Sequence, residues 1–98
     1  MSEMTDELVE KGSRRLKWAF DHMPVLRTID RQFRDEQPLT GLKVGMALHT
    51  EAKTGMLAVV LSHAGAKICL ASCNPLSTDD SVVAALRAEH GLEVHAKK

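Results

Sequence analysis

Net charge is absent: thirteen Lys plus Arg balance thirteen Asp plus Glu. A nucleic-acid binder usually carries a basic excess to pair with phosphates, so nucleic acid is not an expected partner. Long apolar runs are also missing. The longest is Met56 to Leu61, far short of the roughly 20 residues a membrane span needs. Met1 to Lys11 is acidic without an apolar centre, so no signal peptide is expected. Cysteine is scarce. Cys69 and Cys73 are too few for a disulfide scaffold, and C-L-A-S-C is not the C-x-x-C of a zinc site or redox pair. They read as reduced thiols near a buried strand. The histidines, at 22, 49, 63, 90 and 95, show no H-E-x-x-H or comparable ligand spacing, so no metal is expected. Aromatic residues make up only 3% of the chain, but the hydrophobic share of 44% is that of an ordinary globular protein. The 98 residues fit one small domain. Together these absences predict a soluble cytoplasmic domain.

The first third reads as helix. Leu8, Gly12, Leu16 and Ala19 recur at three- and four-residue spacing. Pro24 can open a second helix, because the first turn does not need its missing N–H. Val25, Ile29 and Phe33 then form that helix's apolar stripe. Arg14, Arg15 and Lys17, flanked by Glu7, Glu10 and Asp21, read as a solvated helix face. Asp35-Glu36-Gln37-Pro38 closes the helical region as a polar loop.

Residues 38–98 follow a different pattern. Leu42 to Leu48 reads as a short buried strand. Thr50 to Ala64 is long enough for about four helical turns. Its apolar residues, Met56, Leu57, Val59, Val60 and Leu61, lie almost all round, so both sides must be covered. Composition alone also permits a strand at Met56 to Leu61. Length and Gly65 favour helix, since glycine fits the left-handed position past a helix end. Ala66 to Ala71 is a second strand, Ser77 to His90 a second covering helix stopped by Gly91, and Leu92 to Ala96 a third strand. The fold class is therefore α/β: two N-terminal helices, then β-α-β-α-β with parallel strands and right-handed crossovers.

Open parallel sheets bind ligands beyond the carboxyl ends of their strands. Two polar segments fall there: His49-Thr50-Glu51-Ala52-Lys53-Thr54, and Ser72-Cys73-Asn74-Pro75-Leu76-Ser77-Thr78-Asp79-Asp80. Both lead into helix N-termini, whose free N–H groups suit polar or anionic ligands. Neither carries G-x-G-x-x-G or a Walker A pattern. Each also has a plain structural explanation. Thr50 can cap its helix with Glu51 in the first turn, and Ser77 with Asp80 resembles a capping box. Histidine suits acid–base work, but from spacing alone a hydrogen-bonded histidine at a strand end is the better reading of His49.

These segments, with His22-Met23-Pro24 and Pro38-Leu39-Thr40-Gly41-Leu42-Lys43-Val44, resemble the N-terminal part of the S-adenosylhomocysteine hydrolase family. The similarity runs from about His22 to the end, in order and spacing. It implies a single partial domain over 1–98, with a helical segment at 1–37 and part of the substrate-binding domain at 38–98. The family cleaves S-adenosylhomocysteine reversibly to adenosine and homocysteine. Its tightly held NAD is a recycled oxidant, so the cofactor carries the redox step while the protein positions groups. By resemblance, His49 is the proton-shuttling catalytic residue. Glu51, Lys53 and Thr54 contact the nucleoside, and Cys73, Asn74, Ser77, Thr78 and Asp79 form a second substrate-binding loop.

Three departures stand out. Many members have Thr at position 51 and Glu at 53, where this chain has Glu51 and Lys53, an archaeal-type E-A-K-T form. Lys only donates, so altered base preference is expected, with hypoxanthine and its O6 acceptor as the candidate. Asp79 stands where many members have Gln. Finally, Lys98 precedes the family's later catalytic residues and its NAD-binding domain. The chain is thus expected to form one wall of a nucleoside site, to be inactive alone, and to work with the remainder of the enzyme or a complementary chain. A homo-oligomer also fits the resemblance. A free-standing, non-catalytic module binding a nucleoside or a protein partner, or a truncated product, are the alternative readings.

Overall fold

The computed structural model describes residues 6–72 and 78–95. Two helices, α1 (Asp6–Asp21) and α2 (Pro24–Glu36), precede β1 (Lys43–Leu48), α3 (Ala52–His63), β2 (Lys67–Ser72), α4 (Asp80–His90) and β3 (Glu93–His95). The strands form one parallel sheet in the order β1-β2-β3, with Lys43 opposite Lys67 and Cys69 opposite Glu93. This is the expected α/β arrangement. The glycine stops also hold: Gly65 and Gly91 take φ of 99° and 63°, the left-handed region that side chains disfavour.

The core lies on one face of the sheet. Val44, Met46, Leu48, Ile68, Leu70 and Val94 join a cluster with Met56, Val59 and Val60 of α3 and Val82 and Leu86 of α4. Helices α1 and α2 form a further layer over α3, and α1 also packs along α4. α3 therefore has neighbours on both sides, as its all-round apolar sequence requires. α1 comes very close to α4. A Cβ at Gly12 would lie 1.7 Å from the Ser81 carbonyl oxygen, so only glycine fits there without displacing a helix. Arg87 donates from Nε to the Val94 carbonyl at 3.1 Å, tying α4 to β3.

Several expectations need correction. β1 is not a buried strand. It is an edge of the sheet formed by the described residues, and its residues alternate, with Lys43, Gly45 and Ala47 exposed and Val44, Met46 and Leu48 half-buried. Leu42, just before it, is 52% exposed. The apolar stripe of α2 runs through Leu26, Ile29 and Phe33, while Val25 is 72% exposed. Asp30 lies in that stripe, buried, accepting from His63 Nδ1 at 2.8 Å and Arg34 Nε at 3.0 Å. Burial works against its charge, but the hydrogen bonds from His63 and Arg34 prevail and hold the carboxyl below the ordinary aspartate range.

Both covering helices start later than expected. α3 is capped by Glu51 rather than Thr50. Glu51 is in extended conformation and closes a capping box with Thr54. α4 is capped by Asp79, not Ser77, because the Asp79 carboxylate accepts from the backbone N–H groups of Ser81 and Val82. Ser77 itself lies outside the described residues, as does Ala96 at the expected end of β3.

Candidate functional site

The carboxyl ends of β1 and β2 bring the described parts of the two polar segments together. The Asp79 N–H donates to the Thr50 carbonyl at 2.8 Å, a direct backbone link between the turn after β1 and the turn into α4. On the first side, the His49 carbonyl accepts from the Glu51 N–H at 3.0 Å and from the Thr54 hydroxyl. Thr54 Oγ1 in turn accepts from the Glu51 N–H at 3.2 Å. This net pins the backbone where β1 gives way to α3 and leaves the His49, Glu51 and Lys53 side chains exposed. The Thr54 hydroxyl is engaged within the turn. Thr50 is fully buried, and its hydroxyl has no hydrogen-bond partner among the described residues.

On the second side, Thr78 is buried, with Oγ1 2.6 Å from Ser72 Oγ. Asp79 is the most heavily engaged candidate. Oδ1 accepts from Ser81 Oγ at 2.6 Å and Ser81 N–H at 3.0 Å, while Oδ2 pairs with Arg15 of α1. Burial opposes its charge, but hydrogen bonds from Ser81 and Arg15 outweigh this and hold the carboxyl below its ordinary value. Cys73, Asn74 and Ser77 lie outside the described residues.

Arg15 is a site neighbour that the sequence reading missed. Arg14 and Lys17 make solvated i,i+4 pairs with Glu10 and Asp21, each at 2.9 Å, as expected of a helix face. Arg15 instead crosses to Asp79, and also donates to Ser81 Oγ at 3.2 Å. No local spacing carries that signal.

The family model for S-adenosyl-L-homocysteine hydrolase matches residues 4–98. The chain belongs to the S-adenosyl-L-homocysteine hydrolase family. Adenosylhomocysteinase of Thermoplasma acidophilum is 54% identical over 88 residues, which cover 90% of this chain and 22% of the relative. S-inosyl-L-homocysteine hydrolase of Methanosarcina mazei is 50% identical over 91 residues, covering 93% of the chain and 22% of the relative. The enzyme of the same name from Methanocaldococcus jannaschii is 48% identical over 97 residues, covering 98% and 23%. The chain thus spans under a quarter of the length of these curated relatives.

S-adenosyl-L-homocysteine hydrolases are generally NAD-dependent. The described residues do not fit that dinucleotide. A pyrophosphate is held by glycine-lined backbone at a helix N-terminus, where close approach and positive partial charge are needed. At the N-terminus of α3, the turn His49-Thr50-Glu51 has no glycine, and the Glu51 carboxylate sits at the cap. At α4 the Asp79 carboxylate does the same. An anion would meet like charge at both helix ends. Among the described residues, no helix is long and apolar enough to cross a membrane.

Proposed function

We propose that this chain forms one wall of the nucleoside site of an S-adenosyl-L-homocysteine hydrolase-type enzyme, with residues outside it holding NAD and completing the catalytic set. In this reading, 1–37 is a helical segment and 38–98 is part of the substrate-binding domain. His49 is the acid–base group that exchanges a proton with the leaving sulfur and the attacking water. An imidazole can both give and take a proton, and the hydrogen bonds to the His49 carbonyl fix the backbone that carries it. Glu51, Lys53 and Thr54 with Cys73, Asn74, Ser77, Thr78 and Asp79 line the nucleoside side. The observation that supports this most is the 2.8 Å bond from Asp79 N–H to the Thr50 carbonyl, which joins the two motif segments at the strand ends.

The substrate is an S-nucleosyl-homocysteine with hypoxanthine as the favoured base. Lys53 is exposed and only donates, which matches the O6 acceptor of hypoxanthine rather than the amino group of adenine. Relatives at 50% and 48% identity bear the name S-inosyl-L-homocysteine hydrolase, which is consistent with this choice.

A chimera tests the reading. This chain would replace the matching segment of the Thermoplasma acidophilum adenosylhomocysteinase, and turnover would be followed with S-adenosyl- and S-inosyl-L-homocysteine. Turnover with a higher kcat/KM for the inosyl substrate is expected. A folded chimera without turnover on either compound would overturn the site assignment. A strong adenosyl preference would overturn the base assignment alone. The 98-residue chain by itself, supplied with NAD, is expected to show no turnover.

A further inference from the structure

The sheet face away from the helices carries a side-chain cluster that the hydrolase reading does not use. Cys69 on β2 is the direct register partner of Glu93 on β3, and His95 follows Glu93 by two residues. Parallel pairing and the two-residue repeat of a strand therefore put all three on one face. Their sulfur, carboxylate oxygen and imidazole nitrogen lie within 4.8 Å of one another, and Glu93 Oε2 is 3.2 Å from His95 Nε2. We propose that Cys69, Glu93 and His95 bind a divalent transition metal, zinc being the best match.

The donor set selects the ion. Thiolate, imidazole and carboxylate together suit zinc, whereas magnesium and calcium prefer all-oxygen sites. A tetrahedral ion about 2.0–2.3 Å from each donor sets the donors roughly 3.3–3.8 Å apart. The Glu93–His95 pair, at 3.2 Å, already stands near that spacing, and the Cys69 sulfur lies within 4.8 Å of both. Three protein ligands leave a fourth position to water. Gly45, opposite Cys69, has open space where a Cβ would point, and Ala71 pairs with His95, so small residues border the site. Lys67 shares the face and opposes the cation, so the site must rely on its own donors.

The Cys69 thiol donates a hydrogen bond to the Glu93 carboxylate, and the His95 imidazole stands beside it. Metal binding replaces these hydrogen bonds and releases the thiol proton. It also bridges β2 to β3, a strand of three residues, and so clips the sheet edge. Sequence spacing hides the site because its ligands come from two strands.

The test uses the 98-residue chain with Cys73→Ser, so that Cys69 is the only thiol. Zinc chloride would be titrated by calorimetry, and cobalt(II) binding followed by absorption. The expected result is one ion per chain, a thiolate-to-cobalt charge-transfer band and a thermal midpoint that rises with zinc. Affinity should fall by roughly tenfold or more in Cys69→Ser, Glu93→Gln and His95→Gln. Absence of the thiolate band in the parent protein would overturn the proposal, and that readout needs none of the variants to fold. Unchanged affinity in a folded His95→Gln protein would overturn it as well.

Discussion

The two faces of the sheet differ in what their strands present. Toward the helices stand Val44, Met46 and Leu48 of the edge strand, then Ile68, Leu70 and Val94, the last three almost fully buried. Away from the helices stand Lys43, Gly45, Lys67, Cys69, Glu93 and His95, all exposed or half-exposed. The same three strands thus separate large apolar groups from small and polar ones by strict alternation. Parallel sheets usually carry cover on both faces. Among the described residues, the folding energy comes from one face and two stacked helix layers, and no described helix packs on the other face.

The largest break in that contrast comes from paired substitutions on β2 and β1. Leu70→Ala, on the covered face with no exposure, is expected to cost about 2–5 kcal/mol. Gly45→Ala, on the open face where a Cβ meets nothing, should change stability by no more than about 1 kcal/mol and in the favourable direction. Chemical denaturation of both proteins checks the difference. Equal costs would mean that the open face is packed as well.

Gly12→Ala probes the outer helix layer. The added carbon meets the Ser81 carbonyl oxygen at 1.7 Å, so α1 must move off α4. A loss of about 3 kcal/mol is expected, in the range of severe overpacking. A neutral result would show that α1 contributes little to the covered side.

Acidification should act on the covered side in two steps. Burial holds His90 below its ordinary histidine range, with Glu89 opposing that and His63 and Arg34 adding to it. The unfolded chain then binds more protons than the folded one, so stability falls as pH drops through about 6.5. Asp30 and Asp79 are held below the ordinary aspartate range. Their contribution is complete above about pH 3.9 and is lost as pH falls through their lower folded values. Denaturation midpoints measured from pH 8 to 3 check both steps, and His90→Asn should remove the first. Stability that rises between pH 7 and 5 would contradict the assignment.

The smallest effect is expected where the covered side meets the candidate site. Thr50→Val removes a buried hydroxyl that has no hydrogen-bond partner among the described residues and keeps the side-chain shape. The change should be neutral or stabilising, within about 1 kcal/mol. A larger loss would assign that hydroxyl a role.

The sequence revealed the order of elements, the parallel sheet and the glycine stops, because these depend on local periodicity and on glycine's access to positive φ. Helix starts were less legible. Thr50-Glu51 and Ser77-Thr78-Asp79-Asp80 each offer more than one capping side chain, and only the folded turn selects Glu51 and Asp79. The exposure of β1 was misread because Gly45 and Ala47 look apolar in a run, although Lys43, Gly45 and Ala47 alternate with the larger residues. Asp30 was legible in principle, as one charge inside the α2 stripe. The Arg15–Asp79 pair and the Cys69, Glu93 and His95 cluster were not, since each joins elements far apart in the chain. At the candidate site, the strand-end rule anticipated that the turns after β1 and before α4 meet.

The most direct test of the central claim, that acid–base chemistry resides at the carboxyl end of β1, is kcat of the Thermoplasma acidophilum chimera with His49→Ala beside the same chimera with Glu93→Gln. The account predicts a loss of about 10²-fold or more for His49→Ala, the scale of a lost acid–base group, with Glu93→Gln close to the parent. Equal activity of the two variants would contradict it.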